Sequence, residues 1–174
     1  MPDSATRSNT TARLIKHGEV IDDAWQVLRE IPAGGLPDGR IIVPLDYWLE
    51  HRDTLRTRVQ EGEAEIGVWL ASDQPPAPLA DDLPYLPVIA IDFPLFTDGR
   101  GFSYGRTLRE HFGYKGEVRA IGQFIRDQLH YLSRCGFDAY AIETAEPEKA
   151  IESLHDFSSS YSAGSDQPLP WFRR

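Results

Sequence analysis

Apolar and polar residues along the 174-residue chain form runs of two kinds. The stretch "ARLIKHGEVIDDAWQVL" (Ala12–Leu28) alternates on both sides of His17-Gly18. It predicts a short β-hairpin or two small strands. "IPAGGLPDGR" (Ile31–Arg40) is punctuated by glycine and proline and predicts a loop. A β-then-α rhythm follows. "IIVPL" (Ile41–Leu45) is a short apolar run, with Asp46 as N-cap for a helix carrying Trp48, Leu55 and Val59. "EIGVWL" (Glu65–Leu70) is the next strand. The connection "ASDQPPAPLADDLPYLP" has five prolines and leaves room for one short helical turn near Leu79–Leu83.

"VIAIDF" (Val88–Phe93) is the clearest buried strand, followed by a helix from about Ser103 to His111 that stops at Gly113. "VRAI" (Val118–Ile121) comes next. A helix from about Gln123 to Arg134 then aligns Ile125, Leu129 and Leu132 on one stripe and closes at Gly136. "AYAI" (Ala139–Ile142) is the last strand, and Pro147 opens a helix bearing Ala150, Ile151, Leu154 and Phe157.

Strands starting at 41, 65, 88, 118 and 139, with helices between them, imply right-handed crossovers and a mainly parallel, five-stranded sheet. The fold class is therefore a single α/β domain of repeated βα units with a short N-terminal hairpin. An open doubly wound sheet and a partial barrel, in which each strand joins the next, both satisfy the spacing. The domain is expected over 13–161, with polar tails at 1–12 and 162–174. The second tail ends in "PLPWFRR", which reads either as a packed end or as a docking segment anchored by Trp171 and Phe172.

Charge changes this picture in one place. The chain carries a formal −9, which argues against nonspecific nucleic-acid binding. Thr97–Cys135 is nevertheless +3, from Arg100, Arg106, Arg109, Lys115, Arg119, Arg126 and Arg134 against Asp98, Glu110, Glu117 and Asp127, leaving −12 elsewhere. Local pairing such as Arg106–Glu110 explains part of it; a cationic patch is the sharper reading. No run approaches the roughly 20 apolar residues of a membrane span, and the first residues lack the apolar core of a secretory signal. A lone cysteine, Cys135, fits a reducing cytoplasm.

In parallel sheets ligands bind at the carboxyl ends of the strands. The loop after "VIAIDF" is "PLFTDGRG", leading into a helix. Gly99 and Gly101 allow close backbone approach, Arg100 supplies a guanidinium, and Asp98 and Ser103 flank the helix start. This is a candidate small-anion site. The same residues also read as a plain turn at Asp98-Gly99 with Ser103 as an N-cap. Asp92, at the end of the apolar strand, is either an ion-paired carboxylate or a catalytic base, with Arg100, Arg119 or Arg126 as partner. Glu117 and Arg119 share a strand face and suit a salt bridge as well as a site. Arg126 lies near the same strand ends.

Several chemistries lack their residues. The histidines (His17, His51, His111, His130, His155) are scattered without metal-ligand spacing, and one cysteine cannot hold an iron–sulfur cluster. There is no nucleotide P-loop and no G-x-S-x-G elbow. "GRGFSYG" is one residue longer than the dinucleotide fingerprint. No cofactor is evident. Cys135, beside Gly136, reads as a small core hydrophobe.

The run "IAIDFPLFTDGRGFSYGRTLREHFGYKGEVRAIGQFIRDQLHYLSRCGFDAYAI" resembles a bacterial family of unknown function whose members carry a sulfite-reduction oxidoreductase label. The resemblance extends from about Ile41 to Tyr161 and is densest in "DFPLFTDGRG", "GYKGEVRA" and "RDQLHYLSRCGFDAY". It implies an accessory of assimilatory sulfite or sulfate reduction, with sulfite reductase as a partner and no catalytic residues to carry over. Known reductases use siroheme and an iron–sulfur cluster, so here the oxidoreductase label reads as pathway membership. Gly105 stands where the family pattern has alanine, which implies a looser helix start. Two further classes remain: an α/β enzyme acting on a phosphorylated or sulfur-oxyanion metabolite, with Asp92 as base, and an interaction module without a small ligand.

Overall fold

The computed structural model describes residues 13–94, 99–124, 126–141 and 151–152. Strands β1 (Arg13–Lys16) and β2 (Glu19–Asp22) form the expected hairpin. His17 (φ 53°) and Gly18 (φ 76°) both adopt the left-handed conformation that a tight two-residue hairpin turn needs. Then come β3 (Trp25–Val27), β4 (Arg40–Pro44), β5 (Glu65–Leu70), β6 (Val88–Phe93), β7 (Glu117–Gly122) and β8 (Ala139–Ala141). The spatial order is β2-β1-β8-β7-β6-β5-β4-β3. Strands β3 to β8 run parallel, each beside its sequence neighbour, while β1 is antiparallel to β8.

The sheet is thus mixed and eight-stranded, where five mainly parallel strands were expected. All five expected strands are present. The additions are the hairpin, which joins the sheet through β8, and β3, which pairs in parallel with β4. Sequential order with crossovers of one hand puts every connecting helix on the same face. The result is a curled half-barrel, which sets aside the doubly wound alternative.

Strand alternation assigns the two faces. Ile41, Val43, Ile66, Val68, Leu70, Ile89, Ile91, Phe93, Val118 and Ala120 meet the helices in the main core. Ile42, Val88, Ala90 and Ile121 point to the inner face, with Trp25, Val27, Trp69 and Ala141 against them. Each fully buried aliphatic or Phe side chain contributes about 1.5–3 kcal/mol, so the larger cluster dominates stability.

The helices are shorter than the periodicity predicts. α1 (Leu45–Glu50) buries Trp48 and α2 (Arg52–Gln60) buries Leu55. Pro44, not Asp46, occupies the N-cap position, and Asp46 lies in the first turn where its charge suits the helix dipole. The proline-rich connection holds two 3₁₀ turns, Ala77–Leu79 and Leu83–Tyr85. α3 (Arg100–Arg106) starts three residues before Ser103 and passes into a π-helical turn, Thr107–His111. The Gln123–Arg134 helix reduces to a 3₁₀ turn, Arg126–Gln128, and α4 (Leu129–Arg134). Both expected stops, Gly113 (φ 62°) and Gly136 (φ 98°), are left-handed. Ile151 and Glu152 are helical. The rest of the expected C-terminal helix, Ile125, Ile142 and both tails lie outside the described residues.

Candidate functional site

The glycine-arginine loop opens α3 as follows. Gly99 is the N-cap with φ −90°, an ordinary conformation. Gly101 is buried, and a Cβ there would stand 2.8 Å from Ile91 Cγ2 and Phe93 Cε1. Its glycine therefore lets α3 settle onto β6. Ser103 is not the N-cap; its Oγ donates to the Arg100 carbonyl at 2.9 Å inside the helix. Gly105 has the same role as Gly101. A Cβ would meet the Cys135 carbonyl and Phe137 Cε2 at 2.6 Å, so this position marks tight contact with α4 and not a looser helix. Arg100 is exposed and donates through Nη2 to Ser72 Oγ at 3.0 Å, while Tyr104 donates its hydroxyl to the Ser72 carbonyl at 2.7 Å. Ser72 lies two residues beyond the end of β5, so Arg100 stands near the carboxyl ends of β5 and β6. Asp98 lies outside the described residues.

Arg119 sits elsewhere. It is 1% exposed, in the first half of β7 on the inner face. Its Nε donates to Glu117 Oε1 at 2.6 Å, and its Nη1 donates to both oxygens of Asp23 at 2.8 Å. Lys16 donates to Glu117 Oε2 at 2.7 Å. Two cations and two anions thus form a closed, neutral chain that fastens the N-terminal segment to β7. Arg109 is also internal to the fold: it donates to the carbonyls of Gly136, Tyr114 and Gly116 at 2.7–3.0 Å. The +3 segment therefore does not form one cationic patch, because two of its arginines serve the interior. Arg126 begins the 3₁₀ turn beyond β7; its side chain lies outside the described residues.

Asp92 finds a partner that the sequence did not suggest. Its Oδ1 accepts from Arg29 Nη2 at 2.9 Å. The carboxylate is 14% exposed and the arginine side chain 50%. The segment before Arg29 is pinned twice: Leu28 N–H donates to the Ile42 carbonyl, and Trp69 Nε1 donates to the Leu28 carbonyl, both at 2.9 Å. The Trp69 ring then lies 5.0 Å beneath the Arg29 guanidinium, within cation–π range. Gly122, last in β7, has φ 90°, and a Cβ there would come within 2.5 Å of Asp92 Oδ1. Backbone of β7 therefore closes one side of the carboxylate, and only glycine fits.

Two residues of this mouth, Arg29 and Trp69, were missed by sequence reasoning. Trp69 had a weak signal as a large aromatic on the inner face of a central strand. Arg29 had none, since it lies in a turn 63 residues from Asp92.

Burial tunes two groups outside the mouth. It pushes the Tyr114 hydroxyl well above its usual range; that hydroxyl donates to the Leu86 carbonyl at 2.8 Å. It also raises Asp138, against the opposing pull of the Val118 N–H and Arg109. Cys135 is buried, and its hydrogen bond with Arg106 raises that guanidinium further. Among the described residues no three His, Cys, Asp or Glu converge as metal ligands, and no helix is long and apolar enough to cross a membrane. A polar cavity of about 440 Å³ at the α1–α2 junction, lined by residues 49–54, contains none of the candidate residues.

No curated protein and no solved structure matches the chain. A family model matches residues 67–172, more than half of the sequence, including β6, the glycine-arginine loop, β7 and β8. On that match the chain belongs to DUF934, a family of bacterial proteins of unknown function.

Proposed function

We propose that the mouth at the carboxyl ends of β5, β6 and β7 binds a small oxyanion, as part of an accessory role in sulfite or sulfate reduction. The observation that carries the proposal is the Arg29 arrangement. A half-exposed guanidinium rests on Trp69 and is tethered by a mostly buried carboxylate at the end of a central parallel strand. Such a guanidinium keeps donors for a ligand while one N–H is held in place. Arg100, the first residue of α3 and bonded to Ser72, contributes a second cation. The pathway and a sulfite reductase partner are proposed on the family resemblance, and a cytoplasmic location on the lone cysteine.

Thermal unfolding against sulfite, sulfate, phosphate and nucleotides tests the reading. A ligand at a hundred times its dissociation constant adds about 2.7 kcal/mol, which in a domain of this size is a shift of several degrees. A shift for an oxyanion, lost in Arg29→Ala and reduced in Arg100→Ala, is expected. A flat panel, with reductase co-eluting equally with wild type and both variants, would favour the interaction module.

An enzyme reading is favoured by one feature, the carboxylate of Asp92 at the strand end. Turnover of a phosphorylated or sulfur-oxyanion metabolite, abolished by Asp92→Asn while binding persists, would select it.

A further inference from the structure

We infer that this mouth selects an oxyanion that still carries a proton over one that carries none, an inference that rests on the oxyanion reading above. The cation and the carboxylate are inseparable here. Arg29 Nη2 is held to Asp92 Oδ1 at 2.9 Å, and its plane is held by Trp69 at 5.0 Å. Any anion that takes the remaining Arg29 donors must therefore lie beside Asp92.

The carboxylate is closed on its Oδ1 side by Arg29 and by the backbone of Gly122, where even a methyl group would come within 2.5 Å. Among the described residues, Oδ2 has no hydrogen-bond partner that would keep a ligand away. An ion-paired carboxylate accepts hydrogen bonds and donates none. A fully deprotonated oxyanion meets it as like charge against like charge, in a position only 14% exposed and thus weakly screened. An oxyanion bearing an O–H donates that proton to Oδ2 while its other oxygens accept from Arg29. The same pair of residues thus attracts one class and repels the other. Rejection of an analogue that lacks a required O–H is steep when the acceptor is buried. With Asp92 partly open to solvent, a discrimination on the order of a hundredfold is expected.

Inorganic phosphate and sulfate separate the two classes cleanly. They match in shape and size, but at neutral pH phosphate retains at least one proton and sulfate none. Isothermal titration of the full chain with each, at one pH and matched ionic strength, should give phosphate binding about a hundredfold tighter than sulfate. Arg29→Ala should abolish phosphate binding. Asp92→Asn, which keeps the shape but can donate from its amide, should bring the two anions to within about tenfold of each other. Circular dichroism of each variant establishes that it is folded, and the wild-type comparison needs no variant at all. Equal binding of both anions, dependent on Arg29, overturns the selectivity and leaves the oxyanion site standing. Binding of neither anion, or phosphate binding indifferent to Arg29→Ala, overturns both.

Discussion

Replacing Arg119 by methionine removes one guanidinium from the interior and keeps an unbranched chain to fill the space. The side chain is 1% exposed, and its partners Glu117 and Asp23 are 7% and 5% exposed, so water cannot take its place. Glu117 retains Lys16 at 2.7 Å. Among the described residues, Asp23 then keeps the Trp25 N–H as its hydrogen-bond partner, at 3.0 Å. Breaking a buried pair from one side costs about 3–5 kcal/mol, because a charge remains behind without compensation. By contrast, the exposed Arg40–Glu65 pair is worth about 0–1 kcal/mol. At roughly 2–4 °C per kcal/mol for a domain of this size, Arg119→Met should lower the melting temperature by about 6–20 °C. Urea unfolding at neutral pH measures the loss directly. The double variant Arg119→Met/Asp23→Asn removes the stranded charge and should recover at least about 1 kcal/mol. A single variant that loses less than about 1 kcal/mol, or a double variant no more stable than the single, would refute the view that this chain of charges holds the N-terminal segment down.

Gly105→Ala sets two effects against each other. Alanine gains about 1 kcal/mol of helix propensity, but its methyl would meet the Cys135 carbonyl at 2.6 Å, and overpacking of that kind costs about 1–3 kcal/mol. Net destabilisation in urea is expected, and a stabilised variant would show that the α3–α4 contact yields easily. Tyr114→Phe leaves the Leu86 carbonyl without its buried donor and should cost about 1–3 kcal/mol in the same assay. Asp138 binds its proton more tightly folded than unfolded, so its contribution to stability rises as pH falls through the raised value toward the ordinary 3.8. The stability of wild type relative to Asp138→Asn should therefore increase between neutral pH and about pH 4; a difference that shrinks on acidification contradicts the raised value. Trp69→Phe removes the indole N–H from the Leu28 carbonyl and loosens Arg29, so phosphate affinity should fall several-fold, beside a loss of about 1 kcal/mol in urea from the missing hydrogen bond.

The strands were legible because a strand buried on both faces leaves a continuous apolar run, as "VIAI" does. β3 was not, since Trp25 and Val27 alternate like a continuation of the hairpin, and its partner in β4 lies 15 residues on. Helix starts were misplaced where packing overrode propensity: Gly101 and Gly105 are poor helix formers locally, yet α3 needs them to approach Ile91, Phe93 and Phe137. The Glu117–Arg119 pair followed from two-residue periodicity along one strand. That Asp23 completes it, 96 residues away, could not. Asp92 was marked by a carboxylate ending an apolar run, while its partner depends on where a distant turn returns to the sheet.

Strand order also dictates when the chain can finish folding during synthesis. β3 to β7 can add in the order in which they leave the ribosome, each against the strand before it. The hairpin cannot, because Leu14 pairs with Ala141, 127 residues later. At 5–20 residues per second, about 6–25 s pass in which the hairpin lacks β8, the strand through which it joins the sheet. During that interval Lys16 and Asp23 also wait for Glu117 and Arg119. The acidic outer strand, with Glu19 and Asp22 flanking Val20 and Ile21, suits that delay, since charge on an unpaired strand discourages pairing with other nascent chains.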